Sequence, residues 1–119
     1  MSSDNDAFRT QIRNQFVKRL VNEFIDVIIM SHFKSNPFSG YDVLLFAKIH
    51  LEIPLSPGNV YSTIYAMEQK GLLRVLSKNS RRTTFEVTEK GKEAAEVLTD
   101  PSEMQGFISK IMQGGPLLK

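Results

Sequence analysis

The tightest constraint on the fold of this chain lies in residues 56–87, where a helix with two marked ends runs directly into a β-hairpin. Ser56-Pro57 is the clearest start signal in the chain: Ser at the cap position and Pro at the first helical position, where its missing N–H costs nothing. Thirteen or so residues later, Gly71 is the expected left-handed stop. Residues 72–76 and 83–87 are both rich in apolar or β-favouring side chains. They flank the polar turn Ser77-Lys78-Asn79-Ser80-Arg81-Arg82, which predicts a hairpin with a basic tip. The remaining elements have to be fitted around this helix–hairpin unit.

Upstream, Phe8, Ile12, Phe16, Leu20, Phe24 and Ile28 recur every four residues in a stretch without Gly or Pro, which predicts one long helix over about 6–34. Strict four-residue spacing drifts around a helix of 3.6 residues per turn, so the apolar stripe changes face. The second half, residues 24–30, is apolar nearly all round and reads as core. The first half is amphipathic, carrying Arg9, Arg13, Lys18 and Arg19, and extends beyond what a small domain needs, which suggests a partner. Asn36-Pro37 interrupts the helix. Ser39 then caps a second one running to about His50, with Asp42 at its third position and Val43, Leu44, Ala47 and Leu51 on its buried side. Downstream, Thr88 caps a helix over about 89–98. Asp100-Pro101-Ser102-Glu103 opens a last helix with Met104, Phe107, Ile108 and Ile111 on one face, which Gly114-Gly115-Pro116 ends. A helix that short is marginal alone, so its apolar face is expected to be docked.

Three helices, two strands joined by a basic loop, and a further helix form the winged helix-turn-helix plan. The fold class expected is therefore mainly α with a small β-hairpin: one domain over 1–119, with an N-terminal helical extension (1–22), a winged core (23–98) and a short C-terminal dimerisation helix and tail (99–119). The helix over 56–70 suits the major groove of DNA, which admits one helix. With Val60, Ile64 and Met67 facing the core, Gly58, Ser62, Tyr65, Ala66 and Gln69 fall on the opposite face and Asn59 and Tyr61 on its flanks. Asn and Gln can pair with adenine edges, and Ser or Tyr can reach bases or phosphates. Ser56, Pro57, Gly58, Asn59, Tyr61, Ser62, Tyr65 and Gln69 are the DNA-binding residues expected from this helix. Lys78, Arg81 and Arg82 join them from the wing over 77–83, on the backbone or in the minor groove.

The residues also resemble the PadR family of transcriptional regulators over roughly 24–98. The resemblance rests on Ser39-Gly40-Tyr41, on Leu55-Ser56-Pro57-Gly58-Asn59-Val60-Tyr61, and on Glu68-Gln69-Lys70-Gly71-Leu72. It closes with Arg81-Arg82-Thr83-Thr84-Phe85-Glu86-Val87-Thr88-Glu89-Lys90-Gly91. Ser39 stands where many relatives have His, Ser62 where many have Pro, and Phe85 where Tyr is common. The resemblance implies a dimeric repressor acting on a double-stranded DNA operator, with its C-terminal helical part mediating dimerisation. It also implies that a small aromatic effector is a ligand type for such proteins, near the dimer interface. The homodimer contacts expected here are Phe8, Ile12 and Phe16 from the first helix and Met104, Phe107, Ile108 and Ile111 from the last.

Bulk composition narrows the alternatives. The net charge of +2 is too small to argue for nucleic acid by itself; what matters is that Lys78, Arg81 and Arg82 cluster without an acid among them. There is no cysteine, so disulfides, thiolate metal sites and thiol catalysis are excluded, and a reducing cytoplasm is the expected compartment. The polar opening residues do not read as a signal peptide, and residues 24–30 are too short an apolar run to span a membrane. His32 and His50 are widely separated, and neither a Ser/His/Asp arrangement nor a phosphate loop stands out. An enzyme, a metal and a cofactor are therefore not expected. Tyr41, Tyr61 and Tyr65 read first as packing residues. A winged-helix module that binds another protein is the alternative function.

Overall fold

A computed structural model describes residues 3–113 of the chain. The order is α1 (Ser3–Glu23), α2 (Ile25–His32), α3 (Gly40–His50), α4 (Pro57–Gln69), β1 (Leu73–Lys78), β2 (Thr83–Val87), α5 (Glu89–Leu98) and α6 (Pro101–Met112). The expected winged helix-turn-helix architecture is present. Gly114-Gly115-Pro116, read as the end of the last helix, lies outside the described residues.

The first long helix is two helices. Phe24 leaves helical geometry at φ −109°, ψ 32°, although its N–H still reaches Leu20 O at 3.0 Å and its carbonyl accepts from Ile28 N at 3.0 Å. The kink resolves the drift of the apolar stripe. Beyond it α2 turns Ile25, Ile29 and Met30 fully inward, while Phe24, expected in the core, is half exposed. α2 ends at His32, two residues short of the expected boundary. α1 runs on outside the core with Phe8, Ile12 and Phe16 exposed.

α3 begins with a complete capping box: Ser39 N–H donates to Asp42 Oδ2 at 2.8 Å, and Asp42 N–H donates to Ser39 Oγ at 3.3 Å. The turn between α3 and α4 places Glu52 at φ 56°, a left-handed position filled by a non-glycine residue. α4 ends as its sequence predicts. Gly71 takes φ 77°, with its N–H on Glu68 O and the Leu72 N–H on Met67 O, which is a Schellman closure.

β1 and β2 pair antiparallel from Leu73↔Val87 to Lys78↔Thr83, with a bulge between Val75 and Ser77. The hairpin is longer and its turn tighter than expected, because Asn79 Oδ1 accepts from both Arg81 N–H and Arg82 N–H, at 3.0 and 2.9 Å. This side-chain turn lets β1 continue to Lys78. Midway along β2 the hairpin is stitched to Phe38 by two backbone bonds, Phe38 N to Phe85 O at 3.0 Å and Phe85 N to Phe38 O at 2.7 Å. Both phenylalanines are buried. One core joins α2, α3, α4, the hairpin and Ala95 of α5. α6 buries no residue within the chain; of its predicted face Met104 is half-buried and Phe107, Ile108 and Ile111 are exposed.

A candidate nucleic-acid interface

Local chemistry places α4 with its start open to an incoming ligand. Ser56 Oγ accepts from Asn59 N–H at 3.4 Å, and Pro57 occupies the first turn. Val60, Ile64 and Met67 are buried as expected, which turns Tyr61, Ser62, Tyr65, Ala66 and Gln69 outward. Gly58 is also exposed. A methyl group there would meet nothing closer than Ser56 Oγ at 3.8 Å. No packing among the described residues therefore requires glycine at position 58.

Tyr61 lies over the start of α3. A Cβ at Gly40 would sit 2.3 Å from its ring, so Gly40 is what allows the tyrosine to rest there. Ser39, Gly40, Tyr41, Tyr61 and Tyr65 form one side of a groove of about 250 Å³, and residues 79–83 of the wing with Phe85 form the other. No carboxylate lines it. All three tyrosines are exposed here, Tyr41 and Tyr65 by about 60% each; Tyr61 and Tyr65 are among the DNA-binding residues expected from the sequence, whereas Tyr41 is expected only to pack.

The three wing cations differ. Arg82 Nη2 donates to Asp42 Oδ2 at 2.8 Å, an ion pair between the wing and α3. Arg81 lines the groove and Lys78 is exposed on the strand, and among the described residues neither side chain has a partner. Burial works to raise the pKa of Asp42, but the Ser39 N–H and hydroxyl and the Arg82 guanidinium outweigh it and hold the carboxyl below its ordinary value. It is therefore charged at neutral pH.

Two features of the other flank of α4 are not legible in the sequence. Asn59, expected as a base reader, is half-buried, and its Nδ2 donates to Asn22 Oδ1 at 3.3 Å and Asn22 O at 3.4 Å, tying α4 to the end of α1. Glu23 and Asp26 line a hollow with Ser62, Thr63 and Lys70, so the helix has an acidic side away from the wing. Ser62 faces that side, with its hydroxyl donating to Asn59 O at 3.1 Å. Gln69 stands exposed near the far end of the helix. The basic approach to α4 is from the wing, where the Asp42 carboxylate is paired with Arg82 and Arg81 has no partner among the described residues.

Among the described residues, no group of His, Asp or Glu could hold a metal ion and no helix is long and apolar enough to cross a membrane.

The sequence profile of the transcriptional regulator PadR-like family matches residues 29–97. Among solved structures, a PadR family transcription regulator from Clostridium difficile is 26% identical with a TM-score of 0.60; the match covers 75% of this chain and 94% of that one. A PadR family regulator from Eggerthella lenta superposes with a TM-score of 0.67 at 18% identity, covering 96% of this chain and all of that one (100%). The transcriptional regulator BldR from Sulfolobus solfataricus gives 0.64 at 14% identity, with 99% and 90% covered. No curated protein sequence matches the chain.

Proposed function

The chain belongs to the PadR-like family of transcriptional regulators, and from that premise we propose that it is a dimeric, sequence-specific repressor that lays α4 in the major groove of its operator. The observation that carries this reading is the groove between α4 and the wing. Three exposed tyrosines line it together with Arg81, which has no partner among the described residues, and no carboxylate is in its lining; Gly58 and Lys78 are exposed outside that lining. Phosphates are recognised by such cations and hydroxyls, and a helix enters a groove more deeply where its own surface is small. Tyr61, Tyr65 and Gly58 approach the duplex first, and Ser62 and Gln69 read from the outer face. Lys78 and Arg81 follow the adjacent backbone. The test is binding to duplexes that the protein selects from a random-sequence pool, measured across salt concentration. Steep weakening with salt supports DNA binding, whereas a flat response, or no duplex selected, favours the protein-binding module.

Gly58 separates folding from binding. Alanine there has room, and in a helical position it is expected to stabilise the fold by roughly 0.4–1 kcal/mol through the unfolded chain. The same methyl group would stand where the DNA approaches, so affinity for the selected duplex should fall while the melting temperature rises. Equal or tighter binding by Gly58→Ala would remove the first turn of α4 from the interface.

The homodimer reading rests on the two apolar stripes that this chain leaves uncovered, Phe8, Ile12 and Phe16 on α1 and Phe107, Ile108 and Ile111 on α6. Ile111 is 76% exposed on a helix that has no buried residue of its own. Sedimentation at micromolar concentration should show twice the monomer mass, and truncation before Asp100 should weaken the dimer. A monomer in the full chain would refute this assignment.

A further inference from the structure

We propose that Arg82 and Asp42 form a latch that holds the wing against α3, making Arg82 a positioning residue for the neighbouring Arg81 rather than a DNA ligand. The proposal rests on the DNA-binding reading for its purpose but on the free protein for its geometry.

The hairpin is fixed midway along β2, where Phe38 and Phe85 exchange two backbone bonds and bury their rings. Three residues further toward the tip, Arg82 reaches Asp42 at 2.8 Å. The acceptor is itself immobilised, because the same Asp42 oxygen takes the N–H of Ser39, which is buried. The middle of β2 and the tip are thus secured to one short segment, residues 38–42, that also starts α3. The tip is rigid in itself as well. Asn79 Oδ1 gathers the amides of Arg81 and Arg82, and Asn79 N–H donates to Arg82 O at 3.0 Å. Anchoring Arg82 therefore fixes the backbone of Arg81, the unpaired cation of the groove. Arg suits this task because its planar fork keeps a bidentate-capable geometry that a lysine cannot reproduce.

The pair is partly solvent-exposed, so its effect is modest for each wing and appears in binding. Arg82→Ala and Asp42→Asn should each weaken binding of a duplex selected by the parent protein, by about fivefold for each half-site. The double variant should bind no worse than either single one, and Arg82→Lys should recover part of the affinity. The sign for Asp42→Asn is diagnostic. Removing an acid beside DNA would tighten binding by charge alone, whereas a released wing weakens it. Arg82→Ala leaves the capping box of Ser39 and Asp42 intact, which guards against a folding artefact.

A second readout needs no DNA. Backbone amide order parameters of Ser80 and Arg81 in the free full-length protein should fall from about 0.85 toward 0.6 or below in both variants. Tighter binding by Asp42→Asn, additive effects in the double variant, or unchanged amide order would each overturn the latch. A parent protein that selects no duplex would refute DNA binding instead, while the amide measurement would still decide the latch.

Discussion

Replacing Ile64 by Ala is expected to lower the unfolding free energy by about 2–5 kcal/mol, the largest effect on stability that a single change in α4 should produce. Ile64 is fully buried midway between Val60 and Met67, on the face of α4 that packs against α2, α3 and β1. Truncation forfeits the transfer free energy of the deleted carbons and leaves a cavity that three surrounding elements cannot close. Against a total of about 5–15 kcal/mol for a typical domain, such a change is large. It should lower the melting temperature by about 10 °C or more. The outer face of the helix is untouched, so the molecules that remain folded should still prefer the selected duplex to random DNA. Ser62→Ala and Gln69→Ala should do the reverse. As exposed residues they should change stability by about 0.5 kcal/mol or less. Where either side chain reads a base edge, removing it should cost on the order of 1–3 kcal/mol of discrimination. An Ile64→Ala protein that melts like the parent would mean that α4 is not oriented as described.

What was legible in the sequence was local. The start of α4 at Ser56-Pro57, its stop at Gly71, the caps at Ser39, Thr88 and Asp100, and the pairing of the two β-favouring stretches all depend on residues a few positions apart. The apolar line Val60, Ile64, Met67 was enough to orient the helix. The kink at Phe24 was not legible, because it involves neither Gly nor Pro and keeps its flanking hydrogen bonds; packing of Ile25, Ile29 and Met30 decides it. Glu52 gave no sign of its left-handed backbone, since that conformation is imposed by the turn between two helices already fixed by their cores.

The site shows the same division. That Tyr61 and Tyr65 share a face of α4 follows from helical spacing, but their meeting with Arg81 in one groove follows from the wing's attachment to Phe38. The partner of Asn59 lies 37 positions away, and that of Arg82 lies 40 positions away. Two residues chosen for their chemistry as DNA ligands are thus engaged inside the protein. Glu23 and Asp26, distant in sequence from α4, give it an acidic flank that a helical wheel of α4 alone cannot show. The consequence is directional: in the proposed complex, DNA phosphates are expected on the wing side of the helix and away from Glu23 and Asp26.

That asymmetry sets the second large effect, expected at the wing tip. Lys78 and Arg81 are the wing cations without a partner among the described residues, whereas Arg82 is paired with Asp42. Changing both Lys78 and Arg81 to Ala should weaken binding to selected and random duplexes alike, because a bond to phosphate carries no base identity. If each cation meets one phosphate in each half of a dimer, the double variant leaves four phosphates without their cation. The slope of log affinity against log salt should then become shallower by roughly 0.9 for each of them. Arg82→Ala alone should reduce that slope by less than Arg81→Ala does, since its charge is already compensated by an acid in the free protein. The double change should leave the melting temperature nearly unmoved, as both side chains are exposed and unpaired. Binding curves at several salt concentrations, on one selected and one random duplex, measure all of this together. An unchanged slope in the double variant would show that the wing does not touch the backbone. Weakening confined to the selected duplex would show that Lys78 or Arg81 reads bases in the minor groove.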